Sequence, residues 1–215
     1  MNVLNKVKNT LNKPTLDKRT IRLILIRHGE SMGNLDPYLY NYFGQENVPL
    51  SDKGVRQSKG LKYTLAGMYL KNPKYYTSGY VRTKQTAYFA LGEEEGITDF
   101  IQEDPLLNEM SSHGFSDKTY TKFKQDNPDY EDILKGQSKW DFNFPKCETY
   151  SEVEDRVHAF IKKLERSSHE GEVIVFSHYL TIKVFEKVIR RLPSNNIQNQ
   201  EGLQNCGILE LELEF

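Results

Sequence analysis

Two of the chain's histidines stand where an apolar run stops. Ile21-Arg22-Leu23-Ile24-Leu25-Ile26 leads into Arg27-His28-Gly29, and Val173-Ile174-Val175-Phe176 leads into Ser177-His178. A neutral imidazole can attack phosphorus, and an adjacent arginine offers a planar fork of N–H donors that fits phosphoryl oxygens. Phosphoryl transfer asks for a nucleophile, cations around the equatorial oxygens, a proton donor for the leaving group and exclusion of water. His28 is the candidate nucleophile and Arg27 the cation beside it. Thr77-Ser78-Gly79-Tyr80-Val81-Arg82 supplies a second cation. It reads as a strand end, a turn and a helix start, which puts Arg82 in a first helical turn, where the free N–H groups and the helix dipole also favour an anion. Each element alone is weak, since strand-end histidines are often structural and helix arginines often solvated. Two apolar strands that each end in one of only five histidines carry more weight. His178, if protonated, would neutralise charge on the transferring group.

These side chains need a scaffold that brings strand ends together. The sequence predicts strands at 21–27, 74–78, 98–102, 172–177 and 207–214, with helices at 51–70, 80–91, 149–167 and 180–191. Ser51 reads as an N-cap and Thr149-x-x-Glu152 as a capping box. Strands alternating with helices predict an α/β fold, a doubly wound and mainly parallel sheet flanked by helices, whose ligand site lies at the strands' C-terminal edge. The Leu/Glu alternation of 208–215 reads as an edge strand, through which an oligomer is possible. Residues 110–147 break the rhythm with Phe115, Tyr120, Phe123, Tyr130, Trp140, Phe142 and Phe144, and are expected to form an inserted helical or loop lid. The domain reading is an N-terminal extension at 1–19 and a single domain over 20–215.

A net charge of −1 gives no global field toward nucleic acid or an anionic membrane, so neither is an expected partner. The expected ligand is a small phosphorylated substrate, bound by local cations. Two cysteines, Cys147 and Cys206, are expected to be free thiols, and the absence of a signal-type or membrane-length apolar run points to a cytoplasmic protein. No His-Glu-x-x-His, paired Cys-x-x-Cys or Walker loop occurs, so no metal or other cofactor is expected. His158 and His169 read as structural or solvated, and His113 as a weak candidate for substrate contact.

Arg27-His28-Gly29-Glu30-Ser31-x-Gly33-Asn34, Pro49-Leu50-Ser51-x-x-Gly54-x-x-Gln57, Arg82 with Gln85-Thr86-Ala87, and Ser177-His178 together resemble the histidine phosphatase superfamily, whose fold includes the cofactor-dependent phosphoglycerate mutases and many phosphomonoesterases. The order of the motifs matches from about residue 20 to the last strand. Asn34-Leu35-Asp36, Tyr38, Tyr40 and the run Ser177–Phe185 are similar to the broad-range acid phosphatase branch. The resemblance implies His28 as the phosphorylated nucleophile and Arg27, Arg82 and His178 as the phosphate pocket. It also implies Glu109 as the proton donor, with Glu103 a competing candidate, and a substrate contact from Asn34; Ser31 and Tyr179 are further candidates for substrate contact. Two positions depart from the pattern: Tyr179 replaces a glycine and Gly79 a proline. Tyr179's ring is expected to narrow the pocket or stack on substrate. After Glu109 comes Met110-Ser111-Ser112-His113-Gly114 in place of the mutases' basic clamp, which favours a phosphomonoesterase. A phosphoglycerate mutase and a catalytically weak binding module of the same fold remain the alternatives.

Overall fold

The run after Thr20 forms β1 (Thr20–Arg27), in which Ile21 and Leu23 to Ile26 have no exposure to solvent. A strand so covered belongs inside a sheet with helices on both sides. In the computed structural model the described residues are 18–93, 96–111, 125–126, 147–194 and 202–215. After β1 come α1 (Met32–Leu35), α2 (Tyr38–Phe43), α3 (Asp52–Gly67), β2 (Lys74–Thr77), α4 (Val81–Leu91) and β3 (Ile101–Glu103). Then follow α5 (Tyr150–Arg166), β4 (Gly171–Ser177), α6 (Tyr179–Arg190) and β5 (Ile208–Glu214).

The five strands make one sheet in the order β3-β2-β4-β1-β5. All neighbouring pairs are parallel except β1 with β5. Alternate residues of the central strands feed two cores. Leu23, Leu25, Val173 and Val175 pack with Val153, Val157 and Phe160 of α5 and Val184 and Phe185 of α6. Ile24, Ile26, Ile174 and Phe176 pack with Leu61 and Leu65 of α3 and Ala87 and Ala90 of α4. The sheet is thus doubly wound, as its strand–helix alternation predicts. β5 is an edge, with Leu211 and Leu213 buried and Glu210, Glu212 and Glu214 outward.

The helix starts follow their local chemistry. Ser51 Oγ accepts the Gly54 N–H at 3.1 Å. At α5 the Glu152 N–H donates to Thr149 Oγ1 and the Thr149 N–H to Glu152 Oε2, a complete capping box. One strand differs from expectation. Residues 98–102 are predicted as a strand, but Ile97–Phe100 form a 3-10 turn and pairing begins at Ile101. Gly96, at φ +81°, starts that turn and accepts the Asp99 N–H. The local turn overrides the strand propensity of Thr98 and Phe100. Most of the proposed extension at 1–19 (1–17) and most of the proposed lid at 110–147 (112–124 and 127–146, including His113) lie outside the described residues. Among the described residues no helix is long and apolar enough to cross a membrane, and Cys147 and Cys206 are not joined in a disulfide.

Candidate active site

Strand register sets the geometry. β1 and β4 run parallel with Arg27 opposite Ser177, so the next residues, His28 and His178, leave the sheet at one level. Their ring centroids lie 5.3 Å apart, edge to face. β2 ends on the other side of β4, with the Ser78 N–H donating to Phe176 O at 3.2 Å. That brings the Ser78 hydroxyl to 2.7 Å from His178 Nε2, and Tyr80 caps α4 so that Arg82 enters from its first turn.

His28 is 4% exposed, and its Nδ1 lies 2.7 Å from Gly29 O. A carbonyl only accepts, so Nδ1 carries the proton and the Nε2 lone pair is free. Burial, then the positive charge of Arg82, lowers the His28 pKa to about 3, so the ring is neutral across the physiological range. His178 is fully buried and its pKa lies well below the ordinary value for the same two reasons, largest first. Both rings are thus biased toward the neutral form.

Both arginines are held from behind. Arg82, 2% exposed, donates from Nη1 to Gln45 O at 2.6 Å and lies over the rings of Tyr80 and Tyr40. Arg27 donates from Nη1 to Leu203 O at 2.7 Å and lies over the Tyr179 ring. Burial lowers the pKa of both guanidiniums, and the carboxylate of Glu109 opposes that in each case. Three buried nitrogens have no hydrogen-bond partner among the described residues: Arg27 Nε, Arg82 Nε and His178 Nδ1. An orphaned buried donor costs about 1–3 kcal/mol, and charged ones cost more. Two such donors on the arginines, beside two neutral imidazoles, make a site suited to an anion.

Glu109 follows β3 and a 3-10 turn at Pro105–Leu107. Its Oε1 accepts the Met110 N–H at 3.0 Å and its Oε2 the Leu180 N–H at 3.3 Å. Glu103, the competing candidate, is the exposed last residue of β3 and pairs with Lys84 at 3.2 Å. A cleft of about 600 Å³ is lined by Tyr80, Asn108, Glu109, Glu148, Asp155 and Arg156, with neither His28 nor His178 in its lining.

The remaining sequence candidates stand as follows. Ser31 is buried, and its hydroxyl is 3.2 Å from the Tyr40 hydroxyl. Asn34 Oδ1 accepts the Ser31 N–H at 3.0 Å and so organises the loop after His28. Tyr179's ring lies against Arg27 and Lys183. His169 is buried with Nε2 2.9 Å from Glu172 O, whereas His158 is exposed and 3.8 Å from Glu154.

The family model described as the histidine phosphatase superfamily, branch 1, matches residues 23–214. The chain belongs to the histidine phosphatase superfamily. Among its curated relatives, the phosphoglycerate mutase-like protein AT74 of Arabidopsis thaliana is 27% identical over 89% of this chain and 64% of its own. The chain therefore spans less than two thirds of that relative. The adenosylcobalamin/alpha-ribazole phosphatase of Escherichia coli is 28% identical over 86% of this chain and 87% of its own. A mycobacterial glucosyl-3-phosphoglycerate phosphatase shares the fold, with a TM-score of 0.68 at 22% identity, covering 90% of this chain and 91% of that one.

The pocket of this histidine phosphatase superfamily member also uses residues that sequence reasoning did not single out. Ser78 Oγ bridges His178 Nε2 and Thr83 Oγ1, each at 2.7 Å. Ser78 lies in the quoted Arg82 segment, but no pattern marked its hydroxyl. Asn205 Nδ2 donates to His28 O at 3.0 Å, and the Cys206 N–H donates to Arg27 O at 3.1 Å. Nothing local to 205–206 signals this, because the partners lie more than 170 residues away. Cys206 itself is a half-buried thiol 3.8 Å from Ser58 Oγ, and burial pushes its pKa up to about 11.

Proposed function

We propose that this chain is a phosphomonoesterase that works through a phosphohistidine on His28, without a metal and on a broad range of small phosphate monoesters. The observation that carries the reading is the trio of orphaned buried nitrogens on Arg27, Arg82 and His178 around the neutral His28 ring. In the first step the His28 Nε2 lone pair attacks phosphorus, the bond from phosphorus to the ester oxygen breaks, and Glu109 delivers a proton to the departing alkoxide. In the second step the Glu109 carboxylate takes a proton from water. The water oxygen bonds to phosphorus, the N–P bond returns its electron pair to Nε2, and inorganic phosphate leaves. The two guanidiniums hold the equatorial oxygens throughout. A dianion beside His178 raises that ring's affinity for a proton, so charge enters the pocket together with substrate.

The names of the Escherichia coli relative and the mycobacterial structure, both phosphatases, support hydrolysis as the outcome. The test is hydrolysis of p-nitrophenyl phosphate with an acid-quench search for phosphoprotein. Activity is expected to survive EDTA and to disappear in His28→Ala together with the acid-labile phosphoprotein. Normal turnover in His28→Ala, or loss of turnover in EDTA restored by added metal, overturns the mechanism.

A further inference from the structure

The turn that presents Glu109 has no ladder of its own, yet it is fixed from one side by a single arginine. Arg156 of α5 donates from Nη1 to Leu106 O at 2.7 Å and to Asn108 O at 3.1 Å, the carbonyls three and one residues before Glu109. Its Nε and Nη2 grip both oxygens of Glu148, at 2.5 and 2.8 Å. Glu148 in turn accepts the Ser111 N–H at 3.1 Å and donates its own N–H to Ser111 O at 2.9 Å. One guanidinium therefore spans the chain on both sides of Glu109. The side chains of Arg156 and Glu148 are 20% and 16% exposed, so this bidentate pair is sheltered, unlike a solvated surface contact. On the far side, Asn108 O accepts the Thr181 hydroxyl at 2.8 Å and Asn108 Oδ1 accepts the Gly79 N–H at 3.0 Å. The clamp thus ties the Glu109 turn to the segments that carry Arg82 and His178.

We propose that Arg156 is a positioning residue that, with Glu148, holds the Glu109 carboxyl at the ester oxygen of the bound substrate. The inference rests on the reading of Glu109 as proton donor. Misplacing a reacting group by about 1 Å can cost on the order of 100-fold in rate. Loss of the clamp therefore matters only where the leaving group needs a proton. A lysine cannot replace the fork, since it offers a point charge with no planar pair of donors.

The experiment is a leaving-group series, from p-nitrophenyl through p-methoxyphenyl to benzyl phosphate, on the wild type, Arg156→Lys, Arg156→Gln, Glu148→Gln, Glu109→Gln and the Arg156→Gln/Glu109→Gln double variant. Arg156→Gln is expected to lose at least about tenfold more kcat on benzyl phosphate than on p-nitrophenyl phosphate, with KM within about threefold, well inside the 10²–10⁴ that general acid catalysis contributes. Arg156→Lys should not restore it, and Glu148→Gln should show a smaller loss with the same bias. The double variant should be no worse than Glu109→Gln alone. Equal losses across the series, or losses that multiply in the double variant, overturn the positioning role. If Glu109→Gln itself shows no leaving-group bias, the proton-donor reading fails and the clamp falls with it, an outcome visible in that variant alone. Should Arg156→Gln fail to fold, Glu148→Gln reads the same contact.

Discussion

Two histidines held neutral in a protein interior tie stability to pH in a defined direction. In the unfolded chain each takes up a proton near pH 6.5, whereas in the folded chain His28 resists protonation until about pH 3 and His178 until well below its ordinary value. Between those limits the unfolded state binds more protons, so stability is full well above pH 6.5 and falls as the pH drops, by up to about 1.4 kcal/mol per pH unit for His28, with His178 acting in the same direction. Urea unfolding of the ligand-free protein at pH 6.5 and 4.5 should show this fall. His28→Asn should lose less by roughly 2.3 kcal/mol over that interval. Identical pH slopes for the two proteins contradict the buried neutral ring. At this scale the sequence made the candidates legible wherever a residue type was conspicuous: His28, Arg27, Arg82 and His178 lie close together in the fold. It hid what depends on backbone groups. Gln45 O and Leu203 O, which hold the two guanidiniums, could be offered by any residue, so no side-chain pattern announces them.

At the scale of elements, α3 is seated by a missing side chain. A Cβ on Gly54 would lie 2.0 Å from Glu30 O, in the loop that follows His28. In return the Ser51 N–H donates to Glu30 O at 2.8 Å, and the Glu30 N–H donates to Gln57 Oε1 at 2.8 Å. Gly60, on the same helix, has open space at its Cβ position. Gly54→Ala should therefore cost about 1–3 kcal/mol and depress turnover by moving the His28 loop. Gly60→Ala should instead be neutral or stabilising by up to about 1 kcal/mol. Thermal melts and kcat of the pair check this, and like-signed shifts contradict the close approach. Element type was readable where periodicity runs long, as in α5 and β4, and helix starts were readable from Ser51 and Thr149. The third strand was misjudged because its three paired residues are too few for a pattern, and a glycine turn took the rest.

For the whole molecule, the pocket's uncompensated donors mean that an anion should stabilise the fold, because it binds the native state and not the unfolded chain. Orthovanadate at about 100 times its Kd adds about 2.7 kcal/mol. At about 2–4 °C per kcal/mol for a domain of this size, the melting temperature should rise by roughly 5–11 °C. Arg82→Met should abolish the shift, and a shift that survives places the anion elsewhere. The sheet order β3-β2-β4-β1-β5 also bears on how the protein is made. β1 emerges early from the ribosome, but its two neighbours are β4 and β5, and Leu203, Asn205 and Cys206 complete the support of Arg27 and His28. Pairings so distant in sequence form late and fold slowly. Until β4 and β5 have been made, β1 therefore has neither of its neighbours in the sheet, and His28 lacks the strand that places His178 beside it. Under the proposed mechanism, turnover begins only once β5 has joined the sheet.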